Sequence, residues 1–360
     1  VFFEVTLVSS FALLALGGTR PQLEGAIKYL ALSQVSSALF LIGAGLLYGI
    51  AGTLNMADLA RKLALPGAAP YTAVLALVLL GAFGIKAAVF PLFFWLPASY
   101  HVARTPVSAI FGGLLAEVGV YALYRSYTLL FPGQWLAQRG LLLGIAALTM
   151  LVGVLGAVAQ NDVKRLLAFD VISQVGYLLM GLGLGSPLAI AAGLYFMMHI
   201  VLVKTSLFLR AGLAERITGS SDLRAMGGLL RRQPLLAVLF LGAALALAGV
   251  PPLSGFYAKL GLVLAGVELE QYVAVAAALA TSLLTLYVMA RVWTQAFMGE
   301  RPADVPAHSA APLGLFVPAA ALTALAVLAA LLAAPLYAVA EGAAGQLSNS
   351  APYLLAVLSG

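Results

Sequence analysis

GAFGIKAAVFPLFFWLPASYHVARTPVSAIFGGLLAEVGVYALYR, residues 81–125, sets Lys86, Pro91 and Glu117 inside an otherwise strongly apolar run. A charged side chain at the centre of a bilayer costs about 2.5–3.5 kcal/mol even on the mildest insertion scale. Lys86 and Glu117 therefore have to face a protein interior or a wet cavity, and the rest of the chain has to supply it. That requirement predicts a bundle of membrane helices.

Composition agrees. Of 360 residues, 63% are hydrophobic and only 9% charged, and mean hydropathy is +1.05, far from soluble proteins, where about a quarter of residues are charged. The fold class read from this is an all-α polytopic membrane protein with lipid around it. The net charge of +6 does not point to nucleic acid, because the basic residues sit between apolar spans and form no stripe with interleaved aromatics. The chain has no cysteine, which excludes disulfides, thiolate metal sites and a cysteine nucleophile. No metal-ligand set, nucleotide loop or nucleophile arrangement replaces them, so we expect no cofactor, no metal and no catalytic residue.

Apolar stretches long enough to span occur at 1–17, 28–50, 71–97, 106–131, 140–159, 165–184, 187–213, 234–266, 271–297 and 313–337. Ten spans form one transmembrane domain over 1–360, with the tail from Pro352 too short to cross. The opening VFFEVTLVSSFALLALGG has no initiator Met and no charged region before its apolar run. It reads as a helix entered in its middle, so the domain is expected to be incomplete at its N-terminus.

If the spans alternate sides, one face receives Arg20, Lys28, Arg104, Lys164, Arg165, Arg210, Arg216, Arg224, Arg231, Arg232, Arg291 and Arg301. The other receives Arg61, Lys62, Arg125 and Arg139. The positive-inside rule makes the first face cytoplasmic and starts residue 1 outside. Three basic residues belong to no loop: Lys86, Lys204 and Lys259. All are lysines, which change protonation when buried far more readily than arginines, and that choice favours proton handling over static pairing.

Lys86 reads as lying mid-span, five residues before Pro91, which removes a backbone donor and breaks or kinks the helix. It is too deep to snorkel to the interface. Glu4, if more apolar sequence precedes it, falls inside the first span and is a natural partner for Lys86. Glu117 lies mid-span among Gly112, Gly113 and Gly119, which permit close helix approach, and a carboxyl poised between protonation states there can act as a relay. His199 and Lys204, five residues apart, are about 140° apart around a helix and line successive parts of one path. Lys259 follows Pro251, Pro252 and Gly255, which interrupt the eighth span much as Pro91 interrupts the third. Two interrupted spans, five spans apart, are the pattern of an inverted repeat with the ion path at the breaks. On this reading 1–131 is part of the first inverted unit, 140–297 is the second, and 313–360 is a C-terminal helix and tail. Asp170, one turn into the sixth span, reads as interfacial. His101, Arg104, Asp162, Lys164 and Arg165 read as solvated or headgroup-facing, and His308 carries no signal.

With these motifs in hand, the sequence resembles the antiporter-like subunits shared by Mrp-type multisubunit sodium/proton antiporters and the membrane arm of respiratory complex I, most closely the D-type Mrp subunit. The resemblance rests on IKAAVFPLFFWLPASY, TPVSAIFGGLLAEVGVYALYR, QNDVKRLLAFDVISQVGYLLMGLGLG, HIVLVKTSLFLRAG and GVPPLSGFYAKLGLVLAG, and extends over nearly the whole chain. It implies a fourteen-helix fold of which this chain holds helices five to fourteen, with two broken helices, in the bacterial cell (inner) membrane. It also implies other membrane subunits as partners, and transported H+ with possible Na+. Glu4 and Lys86 match a pair that switches during pumping, His199 and Lys204 a relay, and Lys259 the lysine of the second broken helix. Two positions depart from the family pattern. Glu117 stands where the family usually has lysine, reversing the local charge logic, and Ala98 stands where it usually has an acid.

Cation/proton antiport of Mrp type is the function this resemblance implies. A proton-pumping arm of a complex I-like NADH–quinone oxidoreductase or membrane hydrogenase is the alternative, and a non-pumping scaffold subunit, whose buried charges only specify packing, is the second.

Overall fold

The computed structural model describes residues 2–300 and 313–358. Arg301 and His308, read above as a basic-face residue and a silent loop residue, lie outside these. In chain order the main helices are α1 (Phe2–Ala15), α2 (Arg20–Ala51), α3 (Pro66–Ala87), α4 (Thr105–Leu130), α5 (Arg139–Val158), α6 (Val163–Leu184), α7 (Pro187–Thr218), α8 (Pro234–Ala248), α9 (Ser254–Glu268), α10 (Tyr272–Met298), α11 (Phe316–Leu331), α12 (Ala333–Ser348) and α13 (Ala351–Leu358). No strand occurs among the described residues; Asp162 and Asp222 make an isolated bridge.

Local chemistry sets several of these starts. Asp162 accepts the Arg165 amide and Ser186 the Ala189 amide, each satisfying an orphan donor of a first turn. Pro187 and Pro234 occupy first helical positions, where the missing N–H costs nothing. Inside hydrocarbon the helix is favoured because it pairs every backbone group within itself.

Among the described residues seven helices are long and apolar enough to cross a membrane: α2 to α7 and α10. The pair α11 and α12, bent by 80°, makes an eighth if taken as one span. The expected third span, 71–97, is helical to Ala87 and resumes only at Trp95, in a short helix that ends at Ser99. The eighth, 234–266, is divided into α8 and α9, and the tenth, 313–337, is interrupted at Leu332, where α12 turns away. The discrepancy has one physical origin. Apolar residues line a buried break as well as a helix, so hydropathy alone counts straight through a break.

Both breaks start alike. At the end of α3, Ala88 adopts the left-handed conformation (φ 56°) and donates to the carbonyls of Gly84 and Ile85. At the end of α8, Gly249 (φ 85°) donates to those of Leu245 and Ala246. Pro91 lies in the first break and Pro251 and Pro252 in the second, and the Phe90–Pro91 and Pro251–Pro252 peptides are cis. Lys86 is consequently in the last turn of α3 rather than mid-span.

The core centres on α6, which is almost wholly buried between α5 and α7. Close approach comes from small residues: a Cβ on Gly153 would press on the backbone of Ile172 and Ser173, and one on Gly176 on Met150 and the Ala146 carbonyl. The long α7 touches α4, α9, α11 and α12. Beyond the bend, α12 reaches the end of α4, and α13 packs on the short helix Met56–Leu63.

Candidate functional site

The site is a line of buried polar side chains running between the two breaks. At one end Lys86, only 1% exposed, donates to the Tyr29 hydroxyl of α2 at 3.5 Å, with its ammonium 5.5 Å from the centre of that ring. Glu4 on α1 attracts this ammonium. Trp95, in the short helix Trp95–Ser99 after the break, donates from Nε1 to the Ile85 carbonyl at 2.9 Å and so ties the far side of the break to the turn carrying Lys86.

Glu117 sits halfway along α4 and is 4% exposed. Among the described residues neither of its carboxylate oxygens has a hydrogen-bond partner. The glycines around it are closely opposed to neighbours, as the sequence suggested. A Cβ on Gly119 would meet the Ala87 amide nitrogen at 2.5 Å and the Lys86 carbonyl carbon at 2.9 Å, while one on Gly113 would meet the Val201 carbonyl at 2.9 Å. Glu117 thus lies between the contact with the Lys86 turn and the contact with α7, within Coulombic reach of Lys204.

Lys204 on α7 forms an ion pair with Asp170 on α6, both side chains fully buried. Asp170 is therefore not interfacial. It also accepts from Ser173 Oγ and Gln174 Nε2, each at 3.1 Å. These extra donors offset the desolvation that makes a bare buried carboxylate so costly. A signal for Asp170 was present in the sequence: Asp170, Ser173 and Gln174, at i, i+3 and i+4, make a polar stripe on an apolar helix.

His199, 2% exposed and one face away from Lys204, contacts Ser254 Oγ through Nδ1 at 2.8 Å and stacks on Phe196. Ser254 opens α9, so the histidine bears on the second break. A Cβ on Gly255 would come within 2.8 Å of its Nε2.

Lys259 lies beyond that break, in α9, yet its ammonium reaches back to the end of α8. It donates to the carbonyls of Leu247 (2.9 Å) and Ala248 (3.3 Å) and to Ser282 Oγ (3.3 Å), and lies 4.8 Å from the centre of the Tyr177 ring. Three acceptors match the three N–H donors of an ammonium. A cation at a helix C-terminus is also favoured by the macrodipole. Lys86 and Lys259 thus serve equivalent places, the last turns of α3 and α8, although one precedes its break and the other follows it.

At the end of the bundle carrying His101, a cavity of about 1060 Å³ is lined in part by His101, Arg104, Asp162, Lys164, Thr205 and Glu215. Thr205, which lines this cavity, is the chain neighbour of Lys204 in the buried ion pair. Two sequence readings change here. Lys164 is buried and paired with Glu215 at 2.5 Å rather than solvated. Arg210 is not in a loop, because α7 stays helical to Thr218; fully buried, it donates to Ser206 Oγ, the Ala319 carbonyl and Thr323 Oγ1. Among the described residues no group of three His, Asp or Glu side chains gathers as a metal site requires.

Residues 1–285 match the family described as NADH:quinone oxidoreductase/Mrp antiporter, transmembrane. The chain belongs to that family. Within the NADH:quinone oxidoreductase/Mrp antiporter family, it is 44% identical over 358 residues to the D-type subunit of the Na+/H+ antiporter of Alkalihalophilus pseudofirmus, covering 99% of this chain and 73% of that protein. It is 40% identical over 359 residues to the protein of the same name from Bacillus subtilis, with the same coverage of both. Among solved structures it is similar to a chain of the Mrp complex from Dietzia sp. (TM-score 0.92, 32% identity, 99% of this chain and 75% of that one). It is also similar to a chain of respiratory complex I from Thermus thermophilus (TM-score 0.76, 29% identity, 93% and 73%).

Proposed function

We propose that this chain is the D-type, ion-translocating subunit of an Mrp-like cation/proton antiporter, working in the bacterial cell membrane beside other membrane subunits, with Na+ as the exchanged cation. The observation that carries this reading is the set of buried ionisable groups, Lys86, Glu117, the Lys204–Asp170 pair, His199 and Lys259, with a lysine at each of the two helix breaks. Three lysines and three acids, counting Glu4, balance in charge. In such a line a proton passed from a lysine to a carboxylate leaves two neutral groups, so neither is left as an uncompensated buried charge.

In this scheme Glu4 and Lys86 form the switchable pair. Glu117, His199 and Lys204 pass protons along the middle of the membrane, and Lys259 connects to the outside or to a neighbouring subunit. Asp170 joins them as the counter-charge of Lys204. The cavity beside Thr205 gives cytoplasmic access. We further infer that 1–131 and 140–297 are the inverted units, each contributing one broken helix. Greater similarity to the Mrp chain than to the complex I chain supports antiport over redox-driven pumping.

The test is cation/proton exchange in everted vesicles holding the whole assembly. Lys86→Ala and Glu117→Gln are expected to abolish exchange, and undiminished exchange in both would leave a scaffold subunit as the reading.

A further inference from the structure

Between Lys86 and Glu117 the sequence suggested no intermediate, yet two buried tyrosines stand there. Tyr29 of α2 and Tyr100, which follows the short helix Trp95–Ser99, are both 0% exposed. They flank Trp95, with ring centres 5.3 Å and 5.7 Å from the indole, and the indole is fixed by its bond to the Ile85 carbonyl. The Tyr29 hydroxyl receives the Lys86 ammonium and has the hydroxyls of Ser10 and Ser33 beside it. Tyr100 lies within Coulombic reach of both Tyr29 and Glu117. Among the described residues nothing partners the Tyr100 hydroxyl or either Glu117 oxygen. Buried hydroxyls and carboxylates are rarely left so, and three such atoms in one region mark a place built for exchangeable partners.

We propose that the hydroxyls of Tyr29 and Tyr100, bridged by water, carry the proton between Lys86 and Glu117. The Lys86 ammonium gives a proton to the Tyr29 oxygen as the Tyr29 proton moves on towards the Tyr100 oxygen. The Tyr100 proton then passes to the Glu117 carboxylate. Lys86 ends as a neutral amine, Glu117 as a carboxylic acid, and both phenols are regenerated, so charge and protons balance. The assignment rests on the relay proposed above.

The experiment measures exchange in vesicles containing the intact complex with Tyr29→Phe, Tyr100→Phe, both together, Lys86→Ala and Glu117→Gln. Each phenylalanine is expected to slow exchange about 100-fold, the scale of a lost proton-transfer group. The double variant should be no slower than either single one, because the two hydroxyls act in series. Assembled complex should be unchanged for Tyr100→Phe, since that hydroxyl has no partner to lose. Exchange at the parental rate in Tyr100→Phe with Lys86→Ala inactive overturns the tyrosine bridge and leaves the relay. Parental rates in all variants overturn the relay itself. Fluorotyrosine at position 100 keeps shape and hydroxyl but makes a stronger acid, so the exchange rate should change with the number of fluorines, and a rate indifferent to phenol acidity overturns the bridge.

Discussion

Lys204 and Asp170 neutralise each other where neither side chain has any solvent exposure. Removing one partner of such a pair leaves the other charge buried and uncompensated, which costs about 3–5 kcal/mol. Asp170→Asn should therefore reduce the amount of assembled complex. A double apolar replacement, Asp170→Leu with Lys204→Met, should restore assembly but not exchange. Recovery of both would mean that the pair only holds α6 to α7.

Lys259 offers a cleaner separation of charge from proton transfer. Lys259→Arg keeps a cation able to bond the carbonyls of Leu247 and Ala248 but cannot release a proton near neutral pH. We expect normal assembly with exchange lowered about 100-fold. Parental rates in vesicle assays would show that only the positive charge is needed.

Gly119 sets the approach of α4 to the Lys86 turn. Gly119→Ala puts a methyl group 2.5 Å from the Ala87 amide nitrogen, and overpacking of this kind costs about 1–3 kcal/mol. The purified complex should melt at a lower temperature. Gly144→Ala in α5, where nothing lies within 4 Å, should leave the melting temperature unchanged or raise it.

His101 should confer a pH dependence at its end of the bundle. Burial lowers its pKa below the ordinary 6.5, with Arg165 and Lys164 adding to the effect and with Asp162 and its contact with the Pro97 carbonyl, at 2.7 Å, opposing it. Between the lowered folded value and 6.5 the unfolded chain binds more protons than the folded one, so stability rises with pH across that window. It is lost again as pH falls. Melting temperature should therefore drop on acidification below 6.5, and His101→Gln should flatten that slope; an unaltered slope would assign the dependence to other groups.

Much of this arrangement could be read from residues alone because membrane burial penalises charge so heavily. Lys86, Glu117, His199, Lys204 and Lys259 stood out for that reason, and all five are buried. Asp170 escaped because its distance along the chain from a predicted span end resembled that of an interfacial acid. Depth is set by tertiary packing, and α6 happens to be enclosed from its first turn. Arg210 and Lys164 were misplaced for a related reason: α6 starts at Val163, before the expected span start at 165, and α7 runs on to Thr218, past the expected end at 213, so both residues lie inside buried helix. Tyr29 and Tyr100 carry no charge to betray them; only their placement around Trp95 singles them out. The breaks were foreseen from Pro91, Pro251 and Pro252, but not that Lys259 reaches back across its break to the preceding helix.

That backward reach makes the second break a chemical counter. An ammonium holds the carbonyls of Leu247 and Ala248 and the Ser282 hydroxyl with its three N–H groups, whereas a neutral amine has only two to give. Loss of one proton from Lys259 therefore leaves two N–H donors for three acceptors, and the Ser282 hydroxyl can keep its contact with the amine only by turning its own proton away from the Ala248 carbonyl. The protonation of Lys259 would thereby bear on how α8, α9 and α10 are held together.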